Sequence, residues 1–208
     1  MDRFREIVKK AIDDRKGPLN DMAKYLYDNP ELNFQEFKAH DYITKFLEGE
    51  GFAVTRKYIL DTAFRAEFGD GTPVVVILCE YDALPKIGHA CGHNLIAMCS
   101  VATGIAVKAV MEQVKTVRGK VVVLGTPAEE GGHGKVFLID GGALKGADVA
   151  MMAHPTNLND AYFETNSLDK IFVDYRSSNL NEMNALDAGV GSYLQVSMLR
   201  QQMMPQWR

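Results

Sequence analysis

The chain has 208 residues, 47% of them apolar and 24% charged, a balance that can bury a sizeable core and argues against disorder. The formal net charge of −4 supplies no basic field for nucleic acid, and no run of eighteen apolar residues offers a membrane span. Three cysteines, Cys79, Cys91 and Cys99, are too few and too odd in number for a disulfide framework; with the mixed-charge start Met1-Asp2-Arg3-Phe4-Arg5-Glu6 they predict reduced thiols and a cytoplasmic location.

In chain order, Phe4, Ile7, Val8, Ala11 and Ile12 form an apolar stripe at helical spacing over residues 2–15, broken by Gly17-Pro18. Asn20 is the expected N-cap of a second helix through Tyr27, which Asn29-Pro30 ends. A third helix is expected over 34–48, then two short strands at 52–59 and 63–68. The run Val74-Val75-Val76-Ile77-Leu78-Cys79-Glu80 is apolar almost throughout, as in a parallel strand buried on both faces. A helix over 95–114, a strand at 121–124, a helix over 134–139 and a strand at 148–153 follow. This β-α-β-α-β order predicts an α/β fold, a mostly parallel sheet flanked by helices, over residues 1–160. Beyond it, 156–160 reads as a polar linker, 171–175 as a strand and 181–203 as an amphipathic helix. One strand and one helix enclose no core alone, so 161–208 is either docked on the first domain or the start of a second.

The chemistry gathers at the strand exits. After the first parallel strand come Tyr81-Asp82-Ala83-Leu84-Pro85 and Gly88-His89-Ala90-Cys91-Gly92-His93-Asn94; after the second, Gly125-Thr126-Pro127-Ala128-Glu129-Glu130-Gly131-Gly132; after the third, His154-Pro155. In an open parallel sheet these carboxyl ends converge on one crevice. Cys91, His93, a glutamate of the pair and His154 make a ligand set suited to zinc or another late divalent metal. One glutamate of the pair would ligate, leaving its neighbour to take a proton from water activated by the metal. Taken singly each residue has a plainer reading: Cys91 as a small buried hydrophobe, His154 as structural, Glu129-Glu130 as a solvated loop, Asp82 as a turn former and His89 as a turn cap. Cys79 and Cys99 read as core, His40 as a surface residue and His133 as a loop residue. Only the joint occurrence at three successive exits reverses the balance. A rival chemistry makes Cys91 a thiol nucleophile paired with His93, but it leaves Glu129-Glu130 and His154 without a role.

At these residues the chain resembles the aminoacylase-like, co-catalytic metallopeptidase family, in its amidohydrolase and beta-alanyl-lysine dipeptidase branch. The motifs are Asn29-Pro30-Glu31-Leu32 with Glu36, Glu80-Tyr81-Asp82-Ala83-Leu84-Pro85, Gly88-His89-Ala90-Cys91-Gly92-His93-Asn94, Gly125-Thr126-Pro127-Ala128-Glu129-Glu130-Gly131-Gly132 and Met152-Ala153-His154-Pro155, with Asn184-Ala185-Leu186-Asp187-Ala188 and Leu199-Arg200-Gln201-Gln202-Met203 further on. The resemblance implies a zinc-exopeptidase-like fold followed by the start of a small α+β lid domain at 161–208, through which the chain would form a homodimer. It implies two divalent metal ions, zinc or manganese, with Cys91 bridging and His93, Glu130 and His154 as further ligands. It makes Glu129 the general base and Asp82 an orienting acid. Where other branches place a histidine two before that aspartate, this chain has Glu80. The implied reaction is hydrolysis of an amide bond in a dipeptide or N-acyl amino acid, with no nucleic-acid or membrane partner. Two departures from the family are visible: no histidine follows His154, where the family has a further ligand histidine, and the lid stretch is abbreviated. An inactive, truncated homologue that binds metal or dimerises is therefore the alternative.

Overall fold

The computed structural model describes residues 2–156, 171–178 and 184–205. The chain divides into two compact units, Met1–Asn157 and Leu158–Arg208.

The first unit is built on five strands: β1 (Ala53–Arg56), β2 (Phe64–Asp70), β3 (Val74–Cys79), β4 (Gly119–Gly125) and β5 (Val149–Met151), in the order β1-β2-β4-β3-β5. β3 runs parallel to both neighbours, with Cys79 level with Gly125 on one side and Ile77 level with Met151 on the other. β2 pairs antiparallel with β4, and β1 antiparallel with β2. The α/β architecture is therefore present, with the two early strands added as an antiparallel edge.

Alternation of side chains explains why the apolar strands are buried on both faces. Ile77, Cys79, Val121 and Val123 enter a core shared with Leu19, Met22, Ile43, Leu47, Ala97 and Val101. Those partners come from α2 (Lys16–Asp28), α3 (Phe37–Gly49) and α4 (His93–Gln113), while α1 (Asp2–Asp13) packs on α4. Val76, Val122 and Leu124 point the other way, against Leu138 and Ala143. Leu138 belongs to α6 (Gly134–Asp140), which follows a single turn, α5 (Glu129–Gly132). The β3-α4-β4 and β4-α6-β5 connections thus cover opposite faces and run in opposite directions, the first from β3 out to β4 and the second from β4 back across β3 to β5. That is a topological switch point, where a crevice opens at the carboxyl end of β3.

Several boundaries differ from expectation for identifiable reasons. α2 begins at Lys16, so Gly17 and Pro18 sit in its first turn and Asn20 lies inside it. Proline is tolerated there because a first-turn N–H has no intrahelical acceptor anyway. α3 begins only at Phe37; the Glu31 carboxylate accepts from the N–H groups of Lys38 (3.1 Å) and Ala39 (2.9 Å), placing negative charge at the positive end of the helix. α4 starts at His93, earlier than its apolar pattern, and is long and apolar enough by composition to cross a membrane. Here that character follows from burial, since α4 contacts β3 and β4 as well as α1, α2 and α3. His40, expected at the surface, is buried beside the Phe64 ring, where burial holds its pKa below the ordinary histidine value. Cys99, expected in the core, is exposed, and β5 is a three-residue strand with exposed side chains rather than a strand over 148–153.

In the second unit, α7 (Ala185–Leu199) is capped by Asn184, whose Oδ1 accepts from the Leu186 N–H at 2.8 Å, and runs into one 3-10 turn. The expected start of this helix at 181 lies outside the described residues, as does the linker at 157–160. Residues 171–178 form no strand, contrary to the apolar run there.

Gly104 marks the tightest helix-to-sheet approach: a Cβ there would lie 2.5 Å from Val123 Cγ2. Gly104→Ala is expected to destabilise the first unit by about 1–3 kcal/mol through overpacking, despite the roughly 1 kcal/mol that alanine otherwise gains over glycine in a helix. The urea midpoint of the variant measures this.

Candidate metal centre

The site is assembled around His93, the first residue of α4, which is fully buried. Its Nδ1 donates to Asp82, to the backbone carbonyl at 2.8 Å and to carboxylate Oδ1 at 3.0 Å. With Nδ1 held on Asp82, Nε2 is the ring nitrogen that faces the crevice. Around Nε2 stand Glu80 Oε2 at 3.3 Å, Glu129 Oε2 at 3.7 Å and Glu130 Oε1 at 3.8 Å. His93 Nε2, Glu80 Oε2 and Glu130 Oε1 are all buried without a hydrogen-bond partner among the described residues. Three inward-facing, unsatisfied basic atoms at one point are what a divalent cation would satisfy, so the residues fit a metal.

Cys91 and His154 complete the rim. Cys91 Sγ lies 3.5 Å from His154 Nε2, and His154 Nδ1 bonds the Pro155 carbonyl at 2.9 Å, again turning Nε2 inward. Ligand atoms of Cys91, His93 and His154 all lie within 4.8 Å of one another, as do those of His93, Glu129 and Glu130; His93 belongs to both groups. Gly92 makes this approach possible. It takes a left-handed φ of 84°, and a Cβ on it would come within 2.9 Å of Pro155 Cγ.

Electrostatics fit the same picture. Burial pushes the Asp82 carboxyl up, but the hydrogen bonds from His93 and the Glu130 N–H outweigh it and hold its pKa below the usual aspartate value. Burial, followed by the Glu80 charge, raises Glu129 above the usual glutamate value. Burial and then the Glu130 carboxylate push the Cys91 thiol up to about 12. A thiol nucleophile needs a cationic neighbour that lowers its pKa, the opposite of this surrounding. The Cys91–His93 nucleophile pair is also not formed, because His93 is held by Asp82 and the nitrogen nearest Cys91 belongs to His154.

Residues 77–185, just over half of the chain, match the model of peptidase family M20/M25/M40. The chain belongs to this family. It is 42% identical to the Xaa-Arg dipeptidase of Mus musculus, over 100% of this chain and 53% of that one. It is 34% identical to one of the subunits of p-aminobenzoyl-glutamate hydrolase from Escherichia coli, over 85% of this chain and 40% of that one. The crystal structure of a dinuclear metal-binding peptidase of the M20 family from Bacillus subtilis superposes with a TM-score of 0.58 at 28% identity, covering 66% of this chain and 43% of that one. The chain thus spans about half the length of the curated relatives it matches.

The six residues singled out from sequence fall in this one crevice of the M20 fold. Asp82 and His93 are in direct contact, Glu129 and Glu130 face His93 from the exit of β4, and Cys91 and His154 meet at the rim. His89, read as a turn cap, is buried, with Nδ1 lacking a partner among the described residues.

Sequence reasoning noted Glu80 as standing where other branches place a histidine but gave it no role, and it passed over Lys135. Glu80, 1% exposed, offers one oxygen to His93 and the other to Lys135 Nζ on the first turn of α6. Its position two before Asp82, on the same side of an extended chain, was the available signal. Lys135 carried none, because only the fold brings α6 back over the exit of β3. Lys135→Ala would strand a buried carboxylate. A fully buried pair broken on one side loses about 3–5 kcal/mol, and with Lys135 partly open to solvent we expect about 1–3 kcal/mol in the metal-free protein. Added divalent cation should recover most of the loss, as read by thermal unfolding with and without metal.

Proposed function

We propose that this chain carries the metal-binding part of a hydrolase that cleaves amide bonds in dipeptides or N-acyl amino acids. The observation that carries this reading is the convergence of His93 Nε2, Glu80 Oε2 and Glu130 Oε1 as buried, unpartnered atoms beside Glu129. Its relatives support the substrate class. They are named as a dipeptidase, a p-aminobenzoyl-glutamate hydrolase and, from Bacillus subtilis at 28% identity, an N-acetyl-L-cysteine deacetylase. These are all names for hydrolytic activities, which gives the inactive-module alternative no support.

In this reading Cys91, His93, Glu130 and His154 would hold two divalent ions, zinc or manganese. When bound, the ions polarise the scissile carbonyl and make water acidic enough to attack near neutral pH. Glu129, with about two-fifths of its side chain exposed, accepts the proton of the attacking water and returns it to the leaving amine nitrogen. The raised pKa of Glu129 suits both halves of that transfer. Asp82 fixes the His93 tautomer and, through the Glu130 N–H, the height of the glutamate loop. We further propose that residues 161–208 belong to a lid through which two copies associate, and that the protein is cytoplasmic, consistent with three free cysteines.

Glu129→Gln tests the assignment in the purified, metal-loaded 208-residue chain, assayed on Xaa-Arg dipeptides and N-acetyl amino acids. Turnover should fall by about 10²–10⁴-fold, the usual contribution of a general base, while elemental analysis finds unchanged metal content. Wild-type chain that binds metal yet cleaves none of these amides, or a variant that cleaves them as fast, would overturn it.

A further inference from the structure

The loop that carries Glu129 and Glu130 is not held by its own sequence. Ala128, immediately before them, is fully buried in a left-handed conformation with φ 57°, which a non-glycine residue adopts only under constraint. Its N–H donates at 2.9 Å to Glu36 Oε1, on a residue ninety-two positions earlier. The same oxygen accepts at 2.9 Å from the N–H of Phe34, itself left-handed at φ 61°. The other oxygen, Oε2, accepts from the Thr62 hydroxyl at 2.7 Å, and the Thr62 carbonyl takes the Tyr81 hydroxyl at 2.5 Å. Tyr81 lies between Glu80 and Asp82 at the exit of β3. Glu36 is 0% exposed, and all three of its partners are neutral donors. A fully buried carboxylate with no cation beside it is costly to keep, and this one joins the only two non-glycine left-handed residues that share a hydrogen-bond acceptor among the described residues.

We propose that Glu36 is a positioning residue for the metal centre: by accepting the Ala128 N–H it holds the left-handed turn that aims Glu129 and Glu130 at His93. The inference rests on the roles given to those two glutamates above. Its physical content is reach. Without an acceptor at this point the Ala128 N–H is buried and unpaired, and the turn relaxes toward the right-handed region, swinging both glutamates off the His93 axis. Phe34 supports the same wall, since a Cβ on Gly132 would come within 2.5 Å of its ring. Charge is not what the site uses. A glutamine at 36 can accept both N–H groups through its amide oxygen and donate its NH₂ to the Thr62 hydroxyl oxygen, so Glu36→Gln should behave like wild type.

The test measures Co²⁺ binding by the purified chain, through the cobalt–thiolate absorption of Cys91, alongside amide hydrogen exchange at Ala128 in the metal-free protein. Glu36→Ala is expected to weaken Co²⁺ by about 10–100-fold, the range for residues that orient metal ligands, and to accelerate exchange at Ala128. Adding Ala128→Gly to Glu36→Ala should recover part of the affinity, because glycine takes the left-handed turn without strain. A merely structural Glu36 predicts otherwise: Glu36→Ala would lower the thermal midpoint while leaving Co²⁺ affinity and Ala128 exchange unchanged, and that result overturns the proposal. Should Glu36→Ala not fold, Glu36→Asp, which keeps the charge and loses the reach, is compared with Glu36→Gln. Equal Co²⁺ affinity in those two overturns it as well. If wild-type chain binds no Co²⁺, the metal-centre reading fails, and Ala128 exchange alone still decides the role of Glu36.

Discussion

The centre depends on one buried carboxylate, Asp82. Its Oδ1 takes the proton-bearing nitrogen of His93 and its Oδ2 takes the Glu130 N–H at 2.9 Å, so a single side chain joins the exit of β3, the start of α4 and the exit of β4. Each bond acts with a second one: the Asp82 backbone carbonyl also takes His93 Nδ1, at 2.8 Å, and Glu36 also holds the glutamate loop through the Ala128 N–H. The first pair selects the His93 tautomer and leaves Nε2 basic; the second fixes how far the glutamate loop extends past the sheet. The level pairing of Cys79 with Gly125 brings both exits to the same height before Asp82 bridges them. Packing supplies coarse alignment to within a residue, and the charged hydrogen bonds supply the final ångström.

That arrangement gathers four carboxylates, Glu80, Asp82, Glu129 and Glu130, about one imidazole. Like charges at such spacing repel strongly in a medium less polar than water. The chain offsets this locally with Lys135 on Glu80 and the Glu130 N–H on Asp82, and it leaves Glu80 Oε2 and Glu130 Oε1 without hydrogen-bond partners among the described residues. Unsatisfied acceptors of this kind have no role in a purely structural cluster, where each would cost stability. They are explained by a cation. The same surrounding, burial first and then the Glu130 carboxylate, raises the pKa of the Cys91 thiol, which disfavours it as a nucleophile.

Much of this was legible in the chain itself, and the residues that were not share a reason. The apolar runs at 74–79 and 121–124 identify strands buried on both faces, and parallel order follows from the helix between them. Convergence of Cys91, His93, Glu129-Glu130 and His154 then follows from the geometry of parallel sheets. The antiparallel edge was not legible, because pairing between β2 and β4 joins residues far apart in sequence and neither strand encodes its partner. His40 looked like a surface residue because polarity was visible and the Phe64 ring that covers it was not. Glu80 follows directly on the apolar strand β3 and was noted without a role, and Lys135 sits on a helix whose orientation depends on the tight closure of Gly134, where any Cβ would collide with the Pro127 carbonyl oxygen.

Of the six non-glycine left-handed residues among those described, three stand at this site. Phe34, Ala128 and His133 are left-handed without being glycine, each at a cost of roughly 1–2 kcal/mol, and all lie in or against the loop between β4 and α6. Such a loop has to be over-determined by its surroundings to persist. Asp82 holds it from the β3 side, and Glu36 with Phe34 from the α2–α3 connection. None of residues 1–79 supplies a candidate ligand, yet the stretch at 29–36 shapes the loop that does. This is why motif residues as early as Glu31 and Glu36 can stand in one functional unit with Glu129 and Glu130. Glu31 caps α3 and its carbonyl takes the Ala83 N–H at 2.8 Å, while Glu36 reaches the loop directly. The candidate ligands all lie between Glu80 and His154, but the rigidity that gathers them is drawn from the whole first unit.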